Sequence, residues 1–102
     1  MIVEKLRSLL RLGTLSTRYK DIFDIYYLLG YSDREQLLKA LSVYVFYDAD
    51  MRENNIKDIC KRIESVFNDA VYLRQLYTHD ANWLGEDVNI VLQGILNYFK
   101  NI

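Results

Sequence analysis

The amino-acid sequence predicts an all-α fold, a small bundle of five to six helices in a single domain over residues 1–102. Apolar residues recur every three or four positions through most of the chain, which is the spacing of an amphipathic helix. No proline, low-complexity run or internal repeat marks a linker. A length of 102 residues suffices for one hydrophobic core and is too short for two.

Glycines and capping residues predict where the first two helices begin and end. A periodic apolar set precedes Gly13, which indicates a first helix that ends in a glycine C-cap. Ser16 or Thr17 is the predicted N-cap of a second helix, which runs to about Leu29 and stops at Gly30. The apolar set of the first helix is Ile2, Val3, Leu6, Leu9 and Leu10.

The remaining helices follow from the same signals. Ser32 and Glu35 have the spacing of a capping box, which predicts a third helix that reaches roughly Asp48. A polar segment, residues 49–55, separates it from a fourth helix, and residues 69–78 predict a short fifth one. The fourth and last helices, the last after a glycine at position 85, carry two apolar sets: Ile56, Ile59, Cys60, Ile63, Val66 and Phe67, then Val88, Val91, Leu92, Ile95, Leu96 and Phe99.

Charge is unevenly distributed along the chain. The formal net charge is −1, but residues 1–20 carry five basic side chains against one acidic side chain, Glu4, a local charge of +4. This asymmetry favours an anionic partner near the N-terminal segment, whereas the simpler interpretation is a solvated basic helix face. The basic residues are Lys5, Arg7, Arg11, Arg18 and Lys20.

Several classes of protein do not fit this sequence. No run approaches the ~20 apolar residues that span a bilayer, and the first residues lack the features of a signal peptide. We therefore predict a cytoplasmic protein without a membrane segment. Cys60 is the single cysteine, and no Cys/His cluster is present, so we predict neither a disulfide nor a metal site in this chain.

Asp21 is the most unusual charge in the pattern. On a helical wheel it lies between the directions of Ile25 and Leu28, where a carboxylate needs a cation or hydrogen-bond donors. Lys5 lies at the flank of the apolar face of the first helix and is in a position to supply that charge. We predict that Asp21 is the most buried charged residue, within ion-pair range of Arg18, Lys20 or Lys5. A structural ion pair between two antiparallel helices explains the same pattern.

These residues also form a motif. Glu4-Lys5-Leu6, the glycine turn and the segment Arg18-x-Lys20-Asp21-x-x-Asp24 resemble the late conserved segment of the AbiEii family of nucleotidyltransferase toxins. The resemblance implies a bacterial or archaeal protein from a type IV toxin–antitoxin or abortive-infection system, matching the C-terminal helical part of enzymes that transfer a nucleotide to an acceptor such as transfer RNA. By position it implies one wall of a nucleotide site, formed by Lys5, Arg18, Lys20, Asp21 and Asp24.

The family's metal-binding half, a Gly-Ser turn and paired strand aspartates, has no counterpart in this chain. Magnesium and a nucleoside triphosphate are thus implied only for the full-length family, and no complete catalytic site is expected here. The first hypothesis is a fragment or subunit, inactive alone, whose partner is a missing nucleotidyltransferase domain. Alternatives are a stand-alone helical interaction module without a catalytic role, or an RNA-binding protein. A homodimer through Phe23, Tyr26 and Tyr27 of the second helix is also predicted.

Other chemically active residues favour ordinary structural roles. His79 beside Asp80 lacks a nucleophile or metal partner in sequence and is expected at the surface. Cys60 and Trp83 are expected to fill the core. The same role is expected for five tyrosines at or beside apolar helical positions: Tyr26, Tyr27, Tyr44, Tyr47 and Tyr98.

Overall fold

The part of the chain that the computed structural model describes, residues 2–78 and 80–102, forms six α-helices and no strand. The predicted all-α bundle is therefore confirmed. None of these helices combines the length and the apolar run needed to cross a membrane. The helices are α1 (Ile2–Leu12), α2 (Lys20–Leu29), α3 (Arg34–Leu41), α4 (Ile56–Phe67), α5 (Ala70–Thr78) and α6 (Val88–Lys100).

Gly13 ends α1 as predicted. Its φ of 55° lies in the left-handed region that favours glycine. The Arg62 side chain of α4 packs against this glycine, and its Nε donates to the Leu10 carbonyl oxygen over 3.1 Å. A guanidinium thereby satisfies one of the carbonyls that a helix end leaves without an intrahelical donor. A short 3₁₀ turn, Gly13–Leu15, follows.

Two predicted N-caps are wrong. Helix α2 begins at Lys20, so neither predicted cap precedes it directly, and the Ser16 hydroxyl instead accepts from the backbone N–H of Arg18. Helix α3 is capped by Asp33, which accepts from the Glu35 N–H over 3.1 Å. Ser32 instead donates to a carbonyl in the last turn of α2. Helix α2 thus follows Tyr19 and has no side-chain cap, whereas α3 uses the neighbouring Asp33 in place of Ser32.

The third helix extends close to its predicted end, but it changes geometry on the way. After Leu41 the chain makes a π-helical segment, Ser42–Phe46, in which the Tyr47 N–H donates to the Ser42 carbonyl. A π segment widens the helix by one residue and shifts the direction of the side chains that follow. Consequently the sequence periodicity of an α-helix no longer reports which of these residues are buried.

Helix α6 organises the core, because it packs against both α2 and α4, while α1 packs against α2. Gly94 permits the close approach of α6 to α2, since a Cβ built there lies 2.5 Å from a ring carbon of Tyr26. All six helices contribute to the largest fully buried side chains, which include Phe23, Phe99, Leu6, Ile22, Ile25, Leu41, Ile59, Ile63, Leu76 and Ile95.

Replacing Gly13 with alanine tests the α1 exit. A Cβ there lies 2.4 Å from an Arg62 nitrogen, so Gly13→Ala adds displacement of the guanidinium to the cost of a positive φ. Gly85→Ala is the matched control, because Gly85 has a φ of 68° with open space around its Cβ. We expect a loss of about 1 kcal/mol for the control and about 2–3 kcal/mol for Gly13→Ala in urea unfolding. Equal losses would remove the role assigned to Arg62.

Candidate functional site

One lysine of α1 bridges two aspartates of α2. Lys5 Nζ lies 3.2 Å from Asp21 Oδ1 and 3.1 Å from Asp24 Oδ2. The two aspartates are only 7% and 9% exposed, because α2 is apolar on most of its circumference and they share its buried side. The prediction that Lys5 reaches the carboxylates of the second helix is therefore confirmed.

Two further cations complete what we call the lysine-bridged cluster, which comprises Lys5, Arg18, Lys20, Asp21 and Asp24. Arg18 Nε lies 2.9 Å from Asp21 Oδ2, and Lys20 Nζ lies 3.5 Å from Asp24 Oδ2. The side chains of Arg18 and Lys20 are 63% and 68% exposed, so both cations are anchored on one side and open to solvent on the other. Three cations around two carboxylates give the cluster a net charge of +1.

Hydrogen bonding within the cluster is uneven. Lys5 donates to Asp21 Oδ1, whereas the Arg18 contact with Oδ2 is an ion pair without hydrogen-bond geometry, and this buried oxygen accepts no hydrogen bond among the described residues. Asp24 has more hydrogen bonds, since it accepts one from Lys20 Nζ and one from the indole N–H of Trp83. Arg18 is therefore anchored to Asp21 by an ion pair, without a hydrogen bond.

Lys5 and Asp24 hold each other in their charged forms. The pKa of Lys5 is raised above its ordinary 10.5, mainly by the hydrogen bond to Asp24 and against the opposing effect of burial. For Asp24, burial is the largest single influence and raises the pKa. Hydrogen bonds from Lys5 and Trp83, with the charges of Lys5 and Lys20, outweigh it, so the pKa falls below 3.8.

Trp83 is the residue beside the lysine-bridged cluster that the sequence pattern did not predict there. Its indole Nε1 donates to Asp24 Oδ1 over 2.7 Å, and the residue is 50% exposed, so the prediction that it fills the core is wrong. Trp83 lies in the segment between α5 and α6, 59 residues from its partner. No periodic signal fixes the path of such a segment, so this contact could not be predicted.

Trp83 begins a row of exposed rings, which we call the aromatic strip: Trp83, Tyr27 and Tyr31. The ring centroids of Trp83 and Tyr27 are 5.3 Å apart, and those of Tyr27 and Tyr31 are 5.0 Å apart. All three side chains are exposed. The strip therefore runs from the lysine-bridged cluster along the outer face of α2.

The predicted core role of the tyrosines is only partly right. Tyr27, Tyr44 and Tyr47 are exposed, whereas Tyr26 and Tyr98 are half-buried against the core. The fully buried tyrosines are others, Tyr19 and Tyr72, whose rings pack edge to face with centroids 5.6 Å apart. A helical wheel ranks faces by polarity, but a tyrosine is compatible with either side.

The prediction that Asp21 is the most buried charged residue is wrong by a narrow margin. Glu53 is 6% exposed, against 7% for Asp21. Glu53 belongs to the polar segment before α4, which carries no helical periodicity. Composition therefore gave no signal that one of its carboxylates would be covered.

One comparison with known proteins shows the family of the chain. A family model described as "Nucleotidyl transferase AbiEii toxin, Type IV TA system" matches residues 1–90, most of the chain and every residue of the lysine-bridged cluster. The chain belongs to the AbiEii family. No curated protein and no solved structure matches it.

The two aspartates of this AbiEii chain do not fit a magnesium site. A metal ion needs the carboxylate oxygens that Lys5 contacts here, and an ammonium between two carboxylates occupies the position of the cation. Among residues 2–78 and 80–102 no group of three or more Asp, Glu, His or Cys side chains is arranged to hold one. We therefore propose no metal-dependent role for Asp21 and Asp24.

Two other chemically active residues of the sequence are His79 and Cys60. His79 lies outside the described residues. Cys60 is half-buried against the core in α4, and burial raises the pKa of its thiol, as expected for a packing residue rather than a reactive one.

The shift at Asp24 predicts how stability depends on pH. Because the folded-state pKa of Asp24 is lowered, its contribution to stability is present above 3.8 and is lost as pH falls through the folded value. We expect the free energy of unfolding of the wild type to fall more steeply than that of Asp24→Asn between roughly pH 5 and pH 2. Glu35→Gln, which removes an exposed carboxylate, is the control. Parallel curves for wild type and Asp24→Asn would contradict the assignment.

Proposed function

We propose that the lysine-bridged cluster forms one helical wall of the nucleotide-binding cleft of an AbiEii-type nucleotidyltransferase, with Arg18 and Lys20 contacting the triphosphate. The observation that carries this proposal is that both cations are anchored on buried carboxylates and yet remain mostly exposed. Family membership supplies the reaction class.

The division of roles within the cluster follows from exposure. Lys5 is mostly buried and engages both aspartates, so it acts as a positioning residue that fixes the start of α2 against α1. Arg18 and Lys20 project from that fixed base. Guanidinium groups present several donors in a planar fork that suits phosphate oxygens, and a lysine adds a mobile point charge. Preorganised cations of this kind lower the entropic cost of holding a triphosphate.

The wall supports binding rather than the whole transfer reaction. Nucleotidyl transfer requires metal-held alignment of the triphosphate and the acceptor, and the carboxylates of this cluster are committed to Lys5. We propose that a sheet-borne, magnesium-binding half completes the site, either from a longer form of the chain or from a separate polypeptide. The acceptor we propose is transfer RNA, in a bacterial cytoplasm, as the resemblance implies.

Helix α2 gives limited support to the alternative, a stand-alone module that pairs with itself. Of the three residues predicted at a homodimer contact, Phe23 is fully buried and Tyr26 packs against Gly94, which leaves Tyr27 exposed. The other helices therefore cover much of the face that the sequence left unpaired. A homodimer through the remaining exposed part stays a prediction.

Nitrogen-15 NMR titration with ATP tests the proposed wall. The chain has one tryptophan, so the Trp83 indole N–H gives a single signal that reports on Asp24. We expect this signal and the amides of Arg18 and Lys20 to shift at millimolar ATP. The double variant Arg18→Ala/Lys20→Ala should weaken binding about tenfold or more.

The control and a second readout decide between outcomes. Lys57→Ala/Lys61→Ala removes two exposed lysines from α4 and should leave ATP binding unchanged. Equal affinity for both double variants, or no binding at all, would contradict the proposal.

With ATP, magnesium and transfer RNA, we expect no label transfer by the isolated chain. Transfer that is lost in Asp21→Asn would show that the chain is a complete enzyme.

A further inference from the structure

The lysine-bridged cluster and the aromatic strip share one carboxylate. Asp24 accepts from the Trp83 indole through Oδ1 and contacts Lys5 and Lys20 through Oδ2. A cation-rich edge and a row of exposed rings are therefore held at a fixed distance from each other. Each of these rings leaves a large part of its surface exposed.

A groove adjoins the aromatic strip, since Tyr27 and Tyr31 belong to both. Its volume is about 360 Å³, and the walls include Tyr26, Tyr27, Tyr31, Leu84 and Tyr98. The exposed rings of Tyr27 and Tyr31 line the groove, and the Tyr26 ring, also in its wall, lies against Gly94. The groove is thus open and mostly apolar.

We infer that the aromatic strip is the platform for the base of the nucleoside triphosphate whose phosphates lie on Arg18 and Lys20. The inference rests on the proposed function of the cluster and adds the part of the site that holds the base. Trp83 and Tyr27 are then residues that bind the base. The adjoining groove provides space for the part of the base that these two rings do not cover.

Charge complementarity favours this occupant over a protein partner. A nucleoside triphosphate combines dense negative charge with an aromatic plane, and the surface offers exposed cations and exposed rings in the same order. Stacking on an aromatic ring tolerates every base, because each base has a π-face. The platform therefore positions the base without reading its edges, and it predicts weak discrimination among the four triphosphates.

Comparison of ATP with inorganic tripolyphosphate separates the contribution of the aromatic strip to binding from the contribution of the cations. Both ligands carry the charge, but only ATP carries a base. We expect Tyr27→Leu to weaken ATP binding at least about fivefold in calorimetric or NMR titrations and to leave tripolyphosphate binding unchanged. Tyr47→Leu, which removes an exposed tyrosine outside the strip, should change neither. Trp83→Phe keeps a ring but loses the donor to Asp24, so it should weaken ATP less than Tyr27→Leu does.

Saturation-transfer NMR gives a readout that does not depend on a variant folding. With the wild-type chain, we expect protein saturation to reach the base protons of ATP more strongly than the ribose protons. Tripolyphosphate binding equal to that of ATP, with Tyr27→Leu neutral, would overturn the inference and leave the cluster's role intact. Failure of both ligands to bind would overturn the proposed function itself. A strip that is covered instead by a second copy, seen as concentration-dependent dimerisation abolished by Tyr27→Leu, would also overturn the inference.

Discussion

The contacts of Lys5 with Asp21 and Asp24 are the interaction on which the rest of the site depends. Helix α2 buries Ile22, Phe23 and Ile25, and this burial draws the neighbouring aspartates away from water as well. A buried carboxylate without a cation is costly, so α1 must place an ammonium beside α2. Meeting this requirement fixes how the two helices pack and leaves Lys5 no remaining freedom to contact a ligand.

The same requirement determines what remains on the outside. Because Lys5 contacts both carboxylates, Arg18 and Lys20 are secondary partners, anchored but exposed. Asp24 retains an oxygen for the Trp83 indole, which brings a ring from a distant segment onto the outer face of α2. Membership of the AbiEii family and this arrangement support the proposed triphosphate-binding wall, because cations whose positions are fixed in advance lower the cost of binding.

Sequence reasoning succeeded where a regular pattern carried the information. Helical periodicity and glycine position predicted the bundle, the C-cap at Gly13 and the contact between Lys5 and Asp21, since each depends on spacing within one helix or across one turn. It failed for Trp83, whose position depends on the path of an aperiodic segment between two helices. It also failed for Tyr44 and Tyr47, which lie in or directly after the π-helical segment, where α-helical spacing no longer identifies the buried side.

Removing Lys5 measures the central interaction most directly. In urea unfolding, Lys5→Met should cost about 3 kcal/mol, because it leaves two buried carboxylates without their shared cation. The triple variant Lys5→Met/Asp21→Asn/Asp24→Asn should recover most of that loss, since neutral amides need no cation. A loss below about 0.5 kcal/mol for Lys5→Met, the range of an exposed surface ion pair, would contradict the account.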